Sequence, residues 1–188
     1  MKQKLSRRDF LKILRYFFVS SFVLGSGGLA YGTIFASNEL EVEEVAIKLS
    51  RLPSQFSGFR IVQISDLHMG GWMNSGRLQH AADLILEQNP DLLLLTGDFL
   101  IGHGFDPNSE KHLQELIDIL APLAKSITSF AVLGNHDYWT NADAVREMLK
   151  QSGITDLTNT VFTLSDSGQH LHVCGVDDIW EGDVRLNE

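Results

Sequence analysis

Six side chains of the types that ligate metals and transfer protons occur in three short clusters: Asp66 and His68, then Asp98, then Asn135, His136 and Asp137. Carboxylate, amide and imidazole groups together suit borderline-hard divalent ions such as manganese, iron or zinc. Two such ions lying a few ångströms apart need a bridging carboxylate, because shared negative charge must offset their repulsion. Asp98, in the middle cluster, stands where such a bridge is needed.

Each cluster directly follows a segment that predicts a buried β-strand. These segments are residues 59–64, 91–95 and 127–133, all rich in aliphatic side chains. Ligands bind at the carboxyl ends of the strands in an α/β sheet, so we expect the three clusters to converge in space. A lone Asp, His or Asn in a loop is usually a turn or cap residue, but recurrence after three strands favours a shared site.

Strand, loop and helix patterns alternate from residue 59 onwards, which predicts an α/β fold with sheets flanked by helices. The three predicted helices run between capping and terminating residues: from Asn74 or Ser75 to Pro90, from Ser109 to Pro122, and from Thr140 to Gly153. Residues 161–164 and 170–174 predict a β-hairpin. Residues 45–49 predict the beginning of a further, alternating strand.

The first 36 of the 188 residues differ in composition from the rest. They contain six Lys/Arg and one Asp, whereas the whole chain has a formal charge of −9, so the remainder is strongly acidic. Residues 6–12 resemble the twin-arginine export signal, and 21 uncharged residues follow at 16–36, enough to span a bilayer of roughly 30 Å. We predict a twin-arginine signal or membrane anchor at 1–36, an acidic linker at 37–44, and a globular domain at 45–188.

These features predict where the protein works and which partners it meets. We expect export through the twin-arginine machinery to the extracytoplasmic face, where the protein is membrane-associated or periplasmic. The acidic body disfavours nucleic acid, whose affinity for proteins comes largely from Lys and Arg on phosphates, and the single Cys174 excludes an internal disulfide. A dinucleotide-type G-x-G-x-x-A match at residues 25–30 lies inside the uncharged segment and not between a strand and a helix, which disfavours nucleotide binding.

The order and spacing of three motifs resemble those of the calcineurin-like metallophosphoesterase family: Asp66-x-His68, Gly97-Asp98 and Gly134-Asn135-His136-Asp137. Residues 52–68 and the export signal resemble its membrane-associated bacterial branch, whose members are often described as phosphodiesterases. The resemblance covers about residues 45–188. It implies the calcineurin-like metallophosphoesterase sandwich, with sheets flanked by helices.

The resemblance implies a centre of two divalent metal ions (manganese, iron or zinc). Asp66 and His68 would hold the first ion, Asn135 would hold the second, and Asp98 would bridge both. The ions would lower the pKa of a bridging water towards roughly 7 and supply it as hydroxide for in-line attack on phosphorus.

The resemblance also implies two catalytic residues. His136 would contact the phosphate and protonate the leaving oxygen, with Asp137 as a neighbour in its hydrogen-bond network. The implied activity is hydrolysis of a phosphodiester or pyrophosphate bond in a small-molecule or lipid-linked envelope substrate such as UDP-2,3-diacylglucosamine. Ile101 stands where protein phosphatases of this family carry an Asp, so a phosphoprotein substrate is disfavoured.

The chain departs from the family pattern after Asp137. A further histidine and a Gly-His-x-His motif complete both metal shells in the family, and neither follows here. His170 and His172 have the His-x-His spacing but precede the expected place, so we interpret them as strand residues. The simplest interpretation is that the last part of the domain is missing and that this fragment alone is inactive. The alternative is a membrane-tethered, non-catalytic domain, a pseudoenzyme that binds metal or a partner.

Three further side chains near the clusters have two interpretations each. Trp72 and Trp139 either form an apolar wall for substrate or close the core. His103 lies in a loop after Asp98 and is either a surface residue or placed over the substrate.

Overall fold

A computed structural model of the chain describes residues 40–102 and 107–185. The chain divides into two units, and the second of these, Ala46–Glu188, contains all of the elements described below. The helices are α1 (Ser75–Glu87), α2 (Ser109–Ser126), α3 (Asn135–Thr140) and α4 (Ala142–Ser152). The strands are β1 (Ile61–Ile64), β2 (Leu92–Thr96), β3 (Thr128–Val132), β4 (Thr155–Asp156), β5 (Val161–Asp166) and β6 (Gln169–Cys174).

The first four strands form one parallel sheet in the order β1-β2-β3-β4. Ile64 pairs with Leu95 and Thr96 pairs with Val132, so the carboxyl ends of β1, β2 and β3 lie side by side. Strands β5 and β6 form a separate antiparallel hairpin. The predicted α/β fold, with a parallel sheet and flanking helices, is confirmed.

Alternation along β2 shows how the sheet is buried on both faces. Leu93 and Leu95 belong to the main core, which α1, α2 and α4 cover, whereas Leu92 and Leu94 pack on the opposite face beside Phe130. Successive side chains of a strand point to opposite faces, so a continuous apolar run requires cover on both. The main core is filled by buried helix residues: Leu78, Leu116, Leu120, Leu123, Val145, Met148 and Leu149.

The predicted helices are present, with differences at their ends that have physical causes. Helix α1 begins after Asn74, whose side chain accepts a hydrogen bond from the Arg77 backbone N–H, as predicted. Helix α2 was expected to end at Pro122 but continues to Ser126, because Leu120 and Leu123 are both buried. Their packing outweighs the roughly 3 kcal/mol that an internal proline costs.

Other elements are missed or misplaced by sequence patterns. Helix α4 is capped by Asn141 and not by Thr140, because the preceding short helix α3 already includes Thr140. Six residues are too few to show a helical period, so the sequence pattern does not predict α3. The strand expected at residues 45–49 is wrong: Val45, Ile47 and Leu49 are exposed and pair with no strand within the part of the chain that the structure describes.

The hairpin is confirmed, with longer strands and a shorter turn than the sequence predicts. The turn consists of Ser167 and Gly168, both with positive φ, at 50° and 79°. Two such residues form the tight turn whose twist matches that of antiparallel strands. The pairing therefore continues to Asp166 and Gln169.

The predicted export signal and His103 lie outside the described residues. Of the acidic linker, Glu41, Glu43 and Glu44 are described and are exposed without regular secondary structure. Across residues 40–102 and 107–185, none of the helices has the length and apolar character needed to cross a membrane.

Candidate metal centre

The loops that follow β1, β2 and β3 are joined by backbone hydrogen bonds beyond the ends of the strands. The N–H of Asp66 donates to the carbonyl of Gly97 at 3.2 Å, and the N–H of His68 donates to the carbonyl of Asp98 at 2.9 Å. The N–H of His136 donates to Oδ1 of Asp98 at 3.0 Å. The three clusters therefore converge at the carboxyl edge of the sheet, as expected.

His68, Asp98 and His136 offer ligand atoms that lie within 4.8 Å of one another. Nε2 of His68 is 3.6 Å from Oδ1 of Asp66 and 3.8 Å from Oδ2 of Asp98, so both carboxylates lie next to this imidazole. The imidazole rings of His68 and His136 are edge to face, with centroids 4.5 Å apart. One carboxylate and two imidazoles thus share one small volume, and the more exposed Asp66 carboxylate lies beside His68.

Three of these residues have a strained backbone. Asp66, His68 and Asp98 have positive φ angles of 56°, 45° and 56°. A non-glycine residue in the left-handed region costs of order 1–3 kcal/mol, and such strain persists where surrounding structure enforces it, commonly at functional sites. Here the left-handed residues lie in the two loops that follow β1 and β2 and carry candidate metal ligands.

Two glycines allow the second and third loops to touch. A Cβ on Gly97, whose φ is 88°, would lie 2.3 Å from the backbone nitrogen of Gly134. A Cβ on Gly134 would lie 2.2 Å from Oδ1 of Asp98. Any larger residue at either position would force the loops apart and displace the Asp98 carboxylate.

Asp137 lies beneath this loop junction and is fully buried. Its Oδ2 accepts hydrogen bonds from the N–H groups of Asp98 (2.9 Å) and Gly134 (3.0 Å), and its Oδ1 accepts from Phe99 at 2.9 Å and Leu100 at 3.4 Å. Burial raises the pKa of Asp137 to about 6, although the backbone hydrogen bonds act in the opposite direction. We expected this carboxylate in the hydrogen-bond network of the His136 imidazole, but both of its oxygens bind backbone N–H groups, so it positions the loops.

The imidazole of His136 is oriented by backbone carbonyl groups. Its Nδ1 lies 2.7 Å from the oxygen of Ile101 and 3.0 Å from that of Gly102. A carbonyl oxygen only accepts hydrogen bonds, so Nδ1 carries the hydrogen and the lone pair of the neutral ring is on Nε2. Nε2 is then the atom that binds a cation or accepts and returns a proton.

Asn135 is the first residue of α3 and is half-buried. Its backbone neighbours are Gly134, which packs against Asp98, and His136, whose N–H binds Asp98. The amide therefore starts from the same edge of the sheet as the carboxylates. Its role as a ligand stays a prediction.

The donor set fits a divalent cation on two observations. Nδ1 of His68 is buried and has no hydrogen-bond partner, while Nε2 of the same ring faces two carboxylates. Buried polar atoms are normally satisfied, and ligand-type atoms that converge without hydrogen-bonding one another are typical of a metal site. Oxygen and imidazole donors in this proportion suit manganese, iron or zinc.

Sequence patterns missed the residues that fasten α3 to the rest of the domain. The hydroxyl of Tyr138 donates to Oδ1 of Asp177 at 2.5 Å and accepts from Nη2 of Arg146 at 3.1 Å. Burial, and then the contact with Asp177, raise the pKa of Tyr138 to about 12. Burial also acts to raise the pKa of Asp177, but hydrogen bonds from Tyr138, Asp183 and other donors keep it below its usual range. Thirty-nine residues separate Tyr138 from Asp177, so no local pattern pairs them.

The remaining residues considered in the sequence analysis, two histidines and two tryptophans, are not among the converging ligand atoms of the candidate metal centre. His170 and His172 are on β6, where their Nδ1 atoms contact the hydroxyls of Ser165 and Thr163 across the hairpin, as strand residues would. Trp72 and Trp139 are partly exposed and do not close the core.

Comparisons with known proteins identify phosphoesterases as relatives of this chain. A family model described as calcineurin-like phosphoesterase matches residues 59–183. The uncharacterized metallophosphoesterase YkuE of Bacillus subtilis is 31% identical over 182 residues, which are 96% of this chain and 62% of that protein. The phosphodiesterase YaeI of Escherichia coli is 28% identical over 184 residues, 96% of this chain and 64% of that protein.

A third relative is similar over a shorter region. The UDP-2,3-diacylglucosamine pyrophosphatase LpxG of Chlamydia muridarum is 40% identical over 93 residues, 48% of this chain and 27% of that protein. The chain spans less than two thirds of the length of each of these three relatives. The family match nevertheless includes all three loops that build the metal centre, and this chain therefore belongs to the calcineurin-like phosphoesterase family.

Proposed function

We propose that this chain forms the metal-binding part of an enzyme that hydrolyses phosphodiester or pyrophosphate bonds. The observation that carries the proposal is the convergence of His68, Asp98 and His136, from three separate loops, on one point at the sheet edge. The names of two relatives, a phosphodiesterase and a UDP-2,3-diacylglucosamine pyrophosphatase, favour phosphorus centres with two substituents. We therefore propose that the substrate is a lipid-linked envelope phosphoester such as UDP-2,3-diacylglucosamine.

In this proposal the converging loops hold two divalent ions. Asp66 and His68 would hold one ion, Asn135 would hold the other, and Asp98 would be a ligand that both share. The ions, when bound, supply a water molecule of lowered pKa and offset negative charge at phosphorus. The strained backbone at Asp66, His68 and Asp98 presets the donors, so less ordering is needed when the ions bind.

His136 performs the proton transfer and Asp137 holds the scaffold. Nε2 of His136 binds a phosphoryl oxygen and, when the ring is protonated, donates its proton to the leaving oxygen. The Nδ1 contact with the Ile101 carbonyl keeps the ring in one orientation throughout. Asp137 touches none of the reacting groups and keeps the Asp98 and Gly134 loops together through their backbone N–H groups.

We also propose that the protein is exported through the twin-arginine machinery and works at the extracytoplasmic face, in or near the membrane. The pattern at residues 6–12 and the 21 uncharged residues at 16–36 support this location. A lipid-linked substrate would be accessible there.

Metal-dependent hydrolysis tests the proposed function. The product of the complete reading frame, freed of metal, should hydrolyse bis-p-nitrophenyl phosphate only after manganese or zinc is added. Asp98→Ala should lower the rate by about 100-fold or more, because a shared ligand is removed. The control Asp83→Ala alters an exposed carboxylate on α1 and should leave the rate unchanged.

Two outcomes would contradict this function in different ways. Full activity after thorough chelation would refute the metal mechanism. Metal binding without hydrolysis of any phosphodiester or pyrophosphate would instead support the non-catalytic, partner-binding alternative.

A further inference from the structure

Each loop of the metal centre also carries one large apolar side chain that remains exposed. Trp72 follows β1, Ile101 follows β2 and Trp139 lies on α3, with exposed fractions of 44%, 39% and 38%. We call these three residues the apolar rim. The other apolar residues of the segments after β1 and β2 are buried: Leu67, Met69, Met73, Phe99 and Leu100. The loops therefore fill the core with one set of side chains and hold a second set at the surface.

Trp139 and Ile101 both contact the His136 imidazole, Trp139 through its ring and Ile101 through its backbone carbonyl. The Trp139 and His136 ring centroids are 4.7 Å apart, and the His136 ring is in turn 4.5 Å from that of His68. The Ile101 carbonyl contacts Nδ1 of His136 at 2.7 Å. A phosphoester bound at the metal centre would therefore lie close to the Trp139 indole and to the segment that carries Ile101.

The positions of Ile101 and Trp72 are set by close packing. A Cβ on Gly71 would lie 2.4 Å from Cδ1 of Ile101, so the isoleucine side chain rests on the backbone next to Trp72. The Arg77 guanidinium stacks on the Trp72 indole at 4.5 Å and donates to the Trp72 carbonyl at 2.5 Å. Trp72 is thus held in place from α1 while part of its ring stays in contact with solvent.

Ordered apolar surface around a polar site has a recognisable use. Exposed apolar patches next to functional groups mark binding sites, and tryptophan supplies large contact area at a low cost in side-chain entropy. Each of the three exposed side chains also has a packing partner: Gly71 for Ile101, Arg77 for Trp72 and His136 for Trp139. The surface chemistry suits a ligand with a phosphoryl head and an apolar tail.

We propose that the apolar rim binds the apolar group attached to the phosphoryl group of the substrate, so that the site selects amphiphilic phosphoesters over polar ones. This inference rests on the proposed function, since it assigns the phosphoryl group to the metal centre. It adds the three residues that determine specificity and the class of substituent they recognise.

Equilibrium binding of two phosphonates tests the inference without requiring turnover. Ethylphosphonate and octylphosphonate share the anionic head and differ by six methylene groups. We expect the zinc-loaded complete protein to bind the octyl compound at least about 15-fold more tightly, which corresponds to burial of two methylenes at ~0.8 kcal/mol each. Isothermal titration below the micellar concentration measures both dissociation constants.

Variants of the rim should remove this selectivity. Trp72→Ala and Trp139→Ala together should reduce the ratio of the two dissociation constants to about threefold or less, and the matching Trp→Phe changes should restore most of it. Ile101→Ala should lower the ratio, whereas Ile61→Ala should not. Ile61 is a comparably exposed isoleucine (47%) at the amino end of β1, the end of the strand opposite the metal centre. Thermal melting confirms that each variant is folded.

A hydrolytic comparison separates this inference from the proposed function. The ratio of kcat/KM for p-nitrophenyl octyl phosphate over p-nitrophenyl ethyl phosphate should fall in the rim variants together with the binding ratio. Selective binding of octylphosphonate without hydrolysis of either ester would support the role of the apolar rim in binding and would contradict the proposed function. Hydrolysis of both esters with equal efficiency, or selectivity unchanged in the rim variants, would overturn the inference.

Membrane contact is the competing use of such a rim. Sedimentation with vesicles of phosphatidylglycerol and phosphatidylethanolamine measures it directly. Loss of vesicle binding in the rim variants, with the octyl-to-ethyl ratio unchanged, would also overturn the assignment to substrate.

Discussion

Gly134→Ala should damage the metal centre while leaving the fold intact. A Cβ at this position would lie 2.2 Å from Oδ1 and 2.7 Å from the backbone nitrogen of Asp98. The φ of Gly134 is −105°, which alanine adopts readily, so the effect comes from contact and not from backbone strain. An ordinary contact of about 3.4 Å requires the carboxylate to move by roughly 1 Å.

A displacement of that size exceeds what metal coordination tolerates. Ligand distances in metal sites hold within about 0.2 Å, so Asp98 would cease to act as a ligand in its present position. We expect the affinity for manganese or zinc to fall by about 100-fold or more. The overpacking itself should lower the free energy of unfolding by about 1–3 kcal/mol.

Isothermal titration of the chelator-treated protein measures the affinity, and urea unfolding measures the stability. Gly76→Ala is the matched control, because its Cβ would meet only the Asn74 side chain, at 3.4 Å, inside helix α1. The control should bind metal as the wild type does and be no less stable. A Gly134→Ala protein with wild-type affinity would refute the role of Asp98 as a ligand held by this contact.

Three further outcomes are expected. Asp137→Asn should lower the free energy of unfolding by about 2–5 kcal/mol in urea titrations, because an NH2 group would face backbone donors that now bind a carboxylate oxygen. The control is Asp118→Asn, which lies on the exposed face of α2. Equal stability of both variants would contradict the positioning role of Asp137. The pKa of Tyr138 is about 12 in the folded chain against an ordinary 10.0, so its contribution to stability is full below pH 10 and is lost as the pH rises to about 12. The stability difference between wild type and Tyr138→Phe should therefore shrink across that interval. A difference independent of pH would count against the hydrogen bond from the Tyr138 hydroxyl to Asp177. Arg7→Lys with Arg8→Lys should retain the protein in the cytoplasm in cell fractionation, and unchanged export would show another route.

The position of the metal centre was predictable from local sequence, because it depends on short-range chemistry and a general rule of topology. Three short runs rich in aliphatic residues predict strands from their composition alone, and ligand-type residues follow each of them closely. Parallel strands place their carboxyl ends at one edge, so Asp66, Asp98 and His136 had to approach one another. The Asn74 cap of α1 was likewise predictable from the sequence, since a cap is a contact between residues three apart.

Other features depend on contacts between residues distant in sequence and were decided only by the tertiary structure. Asp137 stands next to His136 in the sequence, yet its carboxylate binds the backbone of a loop thirty-nine residues earlier, at Asp98. Helix α2 passes through Pro122 because buried leucines on both sides outweigh a local cost. The sequence left open whether Trp72 and Trp139 fill the core, and in the structure both are exposed at 44% and 38%. Local chemistry specifies which side chains can bind metal, whereas their orientation and the surface around them follow from packing of the whole chain.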